Sequence, residues 1–143
     1  MGGFYQGKWI SSAWPDELQL LNDKTLSMAF LELYPIVVAA VLWGSEWKCK
    51  MKMKMKNTFH CDNEGTVSIV NKGRSKCLEI MKLMRQVTWC ACVNNFQFSA
   101  KHVPGRKNNI SDALFRLQIG KFRILALHAE QLPHKPLRKG VFN

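Results

Sequence analysis

Three acidic residues and one histidine occupy positions from which they could act on a metal-bound phosphodiester. Glu32 lies within an apolar stretch with helical spacing, and Asp62 ends an apolar strand pattern. Asp112 opens a short helix pattern that follows His102. Carboxylate oxygens are hard ligands suited to Mg²⁺ or Mn²⁺, and two such ions can activate water and stabilise a leaving oxygen. We therefore predict that these three carboxylates bind metal and that His102 transfers protons.

This metal-site prediction depends on convergence in the fold, because none of the three carboxylates belongs to a short local motif. Glu32 taken alone is better explained as a surface residue in the first turns of a helix, where its charge suits the helix dipole. If the carboxylates do cluster, they repel one another, and at least one should have a raised pKa in the absence of metal.

The composition describes one basic globular domain. The chain has 143 residues, 47% of them hydrophobic, which is enough for a domain with a core. Its 21 Lys and Arg residues outnumber 10 acidic ones, giving a net charge of +11. A polyanionic partner is therefore expected, and nucleic acid is favoured over a membrane surface because no basic amphipathic helix is visible. The alternative is a soluble domain that is simply basic.

The cysteines and the N-terminal region indicate an intracellular protein, cytoplasmic or nuclear. Five cysteines, an odd number without a Cys-x-x-Cys pair, argue against a disulfide framework and a structural zinc site. The first residues lack the apolar run of a secretory signal. Glu32 and Pro35 interrupt the apolar stretch Met28–Trp43, so we expect a buried helix there and no membrane partner.

The hydrophobic patterns predict an α/β order of elements that would position the site residues. Aromatic and β-branched residues around Gln6-Gly7 predict a hairpin. The other predicted elements are a helix from Ser27 to about Trp47 with a kink at Pro35, a strand ending at Cys61, helices over Asn63–Gly73 and Ser75–Val93, a strand over Phe96–Val103, and a helix capped by Ser111. Crossover connections imply parallel pairing in part of the sheet, and sites lie at the carboxyl ends of parallel strands.

Three segments lie outside these predicted elements. From Lys50 to Lys56, Lys and Met alternate strictly, a period that suits a strand with one apolar face, although expansion of a repeated codon pair explains the run equally well. The loop Asp16–Lys24 precedes the first helix. After Leu117 the chain is basic and carries prolines near its end, so residues 118–143 are predicted to be a basic linker or tail.

Four segments together resemble a known family. They are Glu32-Leu-Tyr-Pro-Ile-Val-Val-Ala-Ala40, Phe59-His-Cys-Asp-Asn63 with Val70-Asn-Lys-Gly-Arg-Ser75, Phe98-Ser-Ala-Lys-His-Val-Pro-Gly105, and Ile110-Ser-Asp-Ala-Leu-Phe-Arg116. The pattern resembles type 1 ribonuclease H, in the version attached to reverse transcriptases of DIRS-type tyrosine-recombinase retrotransposons. The resemblance covers roughly residues 2 to 117, and Phe115 stands where these elements commonly have Ser.

The resemblance implies a fold, an activity and partners. It implies an α/β fold with a ribonuclease H-like mixed sheet flanked by helices, and endonucleolytic cleavage of the RNA strand of RNA–DNA hybrids with Mg²⁺ or Mn²⁺. Glu32, Asp62 and Asp112 match the family's metal-binding carboxylates, and His102 matches its loop histidine. The implied partners are an RNA–DNA hybrid and the reverse transcriptase and recombinase domains of a parent polyprotein.

Such a domain would recognise the shape of the hybrid, with contacts to its phosphates and to the 2′-hydroxyls of the RNA strand. Asn63, next to Asp62, is a candidate for the minor groove by resemblance. The remaining candidates are basic residues, each of which could equally be an ordinary solubilising charge: Arg74, Lys76, Lys101, Arg106 and Lys107.

One departure from the family bears on catalysis. The family's first aspartate lies on its first strand, a few residues before the segment matching Gly2-Gly3, and neither Asp16 nor Asp23 is on a suitable strand. We therefore expect residues 1–117 to be a ribonuclease H-like domain that lacks its first strand and has weak or no nuclease activity. The alternatives are a non-catalytic nucleic-acid-binding relic and a structural tether between polyprotein domains.

Overall fold

The computed structural model describes residues 1–14, 18, 27–48 and 56–136 and shows a mixed α/β protein. Two 3₁₀ turns, Gly44–Trp47 and Gly105–Lys107, accompany the main elements. In chain order these are β1 (Gly2–Tyr5), β2 (Lys8–Ser11), α1 (Met28–Trp43), β3 (Lys56–Cys61), α2 (Glu64–Lys72), α3 (Leu78–Asn94), β4 (Gln97–His102), α4 (Asn109–Phe115) and α5 (Ile119–Leu125).

The first two strands form the predicted hairpin. Gln6 and Gly7 take positive φ angles of 45° and 84°, as a two-residue turn matched to the twist of its strands requires. Successive residues of β2 point to opposite faces: Ile10 belongs to the main core, whereas Trp9 packs with Leu114 and Phe122 in a smaller cluster. The hairpin is therefore buried on both faces.

Helix α1 begins at the predicted cap. The Ser27 hydroxyl accepts a hydrogen bond from the Phe30 amide at 3.3 Å, which satisfies a donor of the first turn. Pro35 lies inside α1, and the helix is already formed before it, from Met28 onward. The α-helix ends at Trp43, and Gly44–Trp47 continues as a 3₁₀ turn. The apolar side of α1 packs on α3.

Length and composition alone do not show whether α1 is a buried core helix or a membrane span. Met28–Trp47 spans 20 residues and contains an 18-residue window with a mean hydropathy of 1.7, so by length and composition it could cross a membrane despite Glu32 and Pro35. The packing is informative instead, since 56% of the most apolar window is buried inside the protein. A core helix of a soluble protein has this property.

The four strands form two separate two-stranded sheets in the described part of the chain. Strands β1 and β2 are antiparallel, and β3 and β4 are parallel, with Cys61 opposite His102. The continuous mixed sheet that we expected is therefore absent among the described residues. Residues of β1 and β3 line one cavity.

The segment predicted to be a linker packs on the hairpin instead. Helix α5 buries Phe122 against Trp9 and Leu114. The Trp9 indole donates to the Glu130 carbonyl at 2.7 Å, and the His134 amide donates to the Trp9 carbonyl at 2.8 Å. Up to residue 136 the structure therefore differs from the predicted linker. Phe122 and Ala126 of this basic segment are buried in the cluster that contains Trp9. Residues 137–143 lie outside the described part.

The remaining predicted boundaries were close to the observed ones, with one misplaced cap. Helix α4 begins after Asn108, so Ser111 lies inside its first turn instead of capping it, while Asp112 is in the first turn as predicted. Of the alternating Lys–Met run, Lys56 begins β3, and its other residues lie outside the described part. The predicted loop Asp16–Lys24 also lies outside it, apart from Leu18.

Candidate metal centre

The three predicted metal-binding carboxylates line a single cavity. Glu32 comes from the second turn of α1, Asp62 follows the last residue of β3, and Asp112 lies in the first turn of α4. The cavity has a volume of about 1010 Å³ and extends between β1 and β3. The fold therefore brings together residues that are far apart in the sequence.

Glu32 and Asp62 form a close group with Cys61. One potential ligand atom from each of the three residues lies within 4.8 Å of the others. The Cys61 thiol, which is 3% exposed, donates a hydrogen bond to Oε2 of Glu32 at 3.5 Å. Burial, followed by the nearby Glu32 and Asp62 carboxylates, raises the pKa of Cys61 to about 11. The thiol is therefore protonated near neutral pH and serves as a donor to Glu32.

The electrostatics of Glu32 agree with clustered carboxylates. Burial raises the pKa of Glu32 above its ordinary value, and the negative charges of Asp62 and Asp112 raise it further, while the Cys61 hydrogen bond lowers it. A cation placed among these oxygens would relieve the repulsion. The raised pKa of one member is the property that we predicted for a carboxylate cluster in the absence of metal.

Asp112 lies at the side of this group. Its Oδ1 accepts a hydrogen bond from Nε of Arg116 at 2.9 Å, one turn later on α4. Asp112 is outside the group of ligand atoms within 4.8 Å, but its charge acts on Glu32. Glu32 and Asp62 would hold a metal ion, and Asp112 would add negative charge nearby.

His102 lies beside the cluster at the carboxyl end of β4. Its Nε2 is 3.2 Å from the main-chain oxygen of Asp62, and its ring is exposed. The nearby turn also approaches this site, since a Cβ added to Gly105 would lie 3.8 Å from Oδ2 of Asp62. An exposed imidazole in this position can exchange protons between solvent and a substrate at the carboxylates.

The predicted nucleic-acid-binding residues fall into two groups. Lys107 lines the cavity with Asp62, and Arg106 precedes it in the same 3₁₀ turn. Lys101 is exposed next to His102, and Asn63 caps α2 by accepting from the Thr66 amide at 2.9 Å.

The second group is farther away. Arg74 and Lys76 are exposed in the connection after α2. The nine residues of α2 are about 13 Å long and separate this connection from Asn63. Only the first group is therefore next to the carboxylates.

Cys61 is the site residue that sequence reasoning missed. The sequence analysis treated Cys61 only as one of five cysteines and gave it no role at the site. Its position immediately before Asp62 at the end of a buried strand was the available signal, because that position faces the neighbouring helix.

The oxygen donors fit Mg²⁺ or Mn²⁺, which prefer carboxylates and water. The protonated Cys61 thiol does not compete for a hard cation. Glu32, Cys61 and Asp62 are the one group of three or more potential ligands found in the described part of the chain. Asp16 and Asp23 lie outside that part.

No protein-family model matches the chain, and the comparisons with curated proteins and with solved structures gave no match. The resemblance to ribonuclease H therefore rests on the sequence motifs, and its consequences for function are proposals.

Proposed function

We propose that this chain is a ribonuclease H-like domain of a retroelement that binds Mg²⁺ or Mn²⁺ and an RNA–DNA hybrid, with weak or no hydrolytic activity. The observation that supports this proposal best is the convergence of Glu32, Asp62 and Asp112 on one cavity. The three residues belong to motifs that are far apart in the sequence, and their convergence is what the resemblance implies.

Bound divalent ions would supply a polarised phosphate and an activated water. Glu32 and Asp62 would hold the ions, and Asp112 would add charge from α4. Cys61 holds the Glu32 carboxylate in place through its hydrogen bond. His102, fixed beside the Asp62 carbonyl, would accept or deliver a proton at the phosphate.

Hybrid binding would use the cations nearest the carboxylates. Lys107 and Arg106 lie in the turn that approaches Asp62, and Lys101 is exposed on β4. Contacts between these cations and phosphates on either side of the scissile bond would position the hybrid over the carboxylates. A net charge of +11 increases the rate of encounter with any polyanion.

The expected weakness of hydrolysis has a structural reason. The group that the structure describes offers two carboxylates within 4.8 Å of each other, with Asp112 farther off and paired with Arg116. Two ions held close together need more negative charge than this group supplies. With Asp112 set apart in this way, the site would supply less charge to stabilise the leaving oxygen when metal is bound.

The experiment is a paired binding and cleavage assay on a labelled RNA–DNA hybrid with Mg²⁺ or Mn²⁺. The expected result is hybrid binding that weakens steeply with salt, with little or no cleavage. Asp62→Asn should reduce the Mg²⁺-dependent part of the binding and leave the salt-dependent part. Glu79→Gln, on the exposed surface of α3, is the matched control.

Two outcomes would revise this proposal. Efficient metal-dependent cleavage that disappears in Asp62→Asn would show that the site is complete enough for catalysis. Hybrid affinity that neither depends on salt nor exceeds the affinity for double-stranded DNA would contradict hybrid recognition and favour the structural tether.

A further inference from the structure

Helix α3 carries large apolar side chains that no part of the described chain covers. Leu78, Trp89 and Val93 are 75%, 66% and 58% exposed. The opposite side of the same helix, with Leu83 and Val87, is buried in the main core. At 3.6 residues per turn, the three exposed side chains fall on one face and are spread along about 22 Å of the helix. Exposed apolar side chains aligned in this way are typical of a surface that binds another macromolecule.

Two cations lie between the apolar ends of this face. Lys82 and Arg85 follow Leu78 by four and seven residues, so all three lie on one side of the helix. Both cations are exposed. Lys82 pairs with Glu79 at 2.9 Å, whereas Arg85 has no acidic partner among the described residues. We call the two cations and the three apolar residues the outer face of α3, which is basic in the middle and apolar at both ends.

A small pocket adjoins the C-terminal end of the outer face. Thr88 and Cys92, which are exposed residues in the last turns of α3, line it together with Phe96 and Gln97. Its volume is about 220 Å³, which is below the range of ordinary small-molecule sites. One side chain of a bound polypeptide is a better match to this size. Because Cys92 lies one turn after Trp89, the pocket is beside the apolar end of the face.

The charges and the side-chain types favour an acidic helix over other possible occupants of the outer face. A second copy of the chain would bring its own Lys82 and Arg85 and the same net charge of +11, so it would be repelled. Single-stranded nucleic acid would stack on Trp89 and contact the cations through phosphates, but it has no apolar partner for Leu78 and Val93. A helix with apolar residues at both ends and carboxylates between them matches every part of the face.

We propose that the outer face of α3 is a docking site for an acidic amphipathic helix of a partner protein. The partner helix lies along α3, its apolar side chains cover the two ends of the face, and its carboxylates pair with the two cations. Trp89 is the main anchor, because exposed Trp residues dominate the binding energy of such interfaces. This inference goes beyond the proposed function and depends neither on the carboxylate site nor on hybrid binding.

The test uses the full chain and a fluorescein-labelled peptide, Leu-Ala-Ala-Gln-Leu-Ala-Ala-Glu-Ala-Ala-Gln-Glu-Ala-Ala-Gln-Leu. When this peptide lies antiparallel to α3 as a helix, its leucines meet the apolar side chains and its glutamates meet Arg85 and Lys82. Fluorescence anisotropy should show saturable binding. A control peptide with both glutamates replaced by lysine should bind at least about tenfold more weakly, because like charges would then face one another.

Substitutions on the outer face provide a second measurement. Trp89→Ala should weaken peptide binding about tenfold, whereas Leu127→Ala, at an exposed apolar position after α5, should leave it unchanged. The double variant Lys82→Glu with Arg85→Glu should reverse the preference, so that the lysine peptide binds more tightly than the glutamate peptide. The variant chain is still basic, so general attraction cannot produce that reversal. Circular dichroism checks the folding of each variant.

Three results would overturn the proposal. The first is absence of saturable peptide binding, or equal binding by the wild-type chain and Trp89→Ala. The second is binding of a single-stranded oligonucleotide, but not of the peptide, that is lost in Trp89→Ala, which would assign the face to nucleic acid. The third is self-association in sedimentation equilibrium that Trp89→Ala abolishes, which would assign the face to a second copy.

Discussion

Among single residues, Glu32 connects the electrostatics of the site with the stability of the fold. It is partly buried, accepts a hydrogen bond from the Cys61 thiol, and faces the charges of Asp62 and Asp112. Such a carboxylate is costly to ionise in the folded state. The cost is acceptable where a cation compensates it, and this is why the residue is informative about metal binding.

The raised pKa of Glu32 predicts a pH dependence of stability in metal-free buffer. The folded state holds the Glu32 proton more tightly than the unfolded chain, whose pKa is near 4.5. The free energy of unfolding should therefore fall as the pH rises from 4.5 through the folded-state pKa. Glu32→Gln removes this loss, so the variant should be more stable than wild type at pH 7 and no more stable below pH 4.5. Urea unfolding at several pH values measures the difference.

Equal pH profiles for Glu32→Gln and wild type would contradict the raised pKa. The exposed Glu79→Gln variant, whose partner is Lys82 on the same helix, controls for the general effect of removing one negative charge.

Among the elements, α4 links the hairpin to the site because it carries Asp112 and touches β1. The contact requires Gly2, since a Cβ there would lie 2.5 Å from the main-chain carbon of Leu114. No rearrangement of a flexible side chain can relieve that overlap. The hairpin and the position of Asp112 are therefore coupled through a single glycine.

Gly2→Ala should destabilise the fold by about 1–3 kcal/mol, the usual cost of overpacking, and should displace α4. Gly120→Ala is the matched control, because nothing lies within 4 Å of the added Cβ in helix α5. That control should stabilise the protein by about 0.5–1 kcal/mol. Denaturant unfolding compares the two variants, and equal effects would show that β1 and α4 are not in close contact.

The sequence predicted elements whose signals are local. Ser27 was recognisable as the start of a helix, the helix predicted from Asn63 begins at the next residue, Gln6-Gly7 was a recognisable turn, and Asp62 was placed correctly at the end of a strand. These signals depend on backbone conformation over a few residues.

Features that depend on tertiary contacts were not predictable in the same way. The hydrogen bond from Cys61 to Glu32 joins residues from two distant elements. Helix α5 was missed because its basic composition concealed Phe122, whose burial depends on Trp9 at the other end of the chain. The helix start at Asn108 was missed because Asn and Ser are comparable caps by residue type and Asn108 makes no side-chain capping hydrogen bond.

For the whole molecule, the net charge of +11 predicts binding to polyanions but not its location. The cations beside the carboxylates, Lys101 and Arg106, are exposed and belong to β4 and the following turn. Lys82 is equally exposed on α3 and pairs with Glu79 at 2.9 Å. If the hybrid binds at the cations near the carboxylates, substituting Lys101 and Arg106 should matter more than substituting Lys82. If only overall charge matters, the substitutions should have equal effects.

The double variant Lys101→Glu with Arg106→Glu should weaken hybrid binding and reduce the slope of log affinity against log salt by about 2. Lys82→Glu with Lys121→Glu applies the same change in charge away from the site and should leave most of the slope. Filter binding at several salt concentrations measures both. Equal slopes for the two double variants would mean that hybrid binding reflects overall charge and not a site near Asp62.

The most direct test of the proposed metal centre is a titration of the chain with Mn²⁺, followed by electron paramagnetic resonance of the free ion. We expect saturable binding that is lost in Asp62→Asn and in Glu32→Gln but retained in Glu79→Gln. Binding that persists unchanged in both site variants, or absence of binding to the wild-type chain, would contradict a divalent-metal site at these carboxylates.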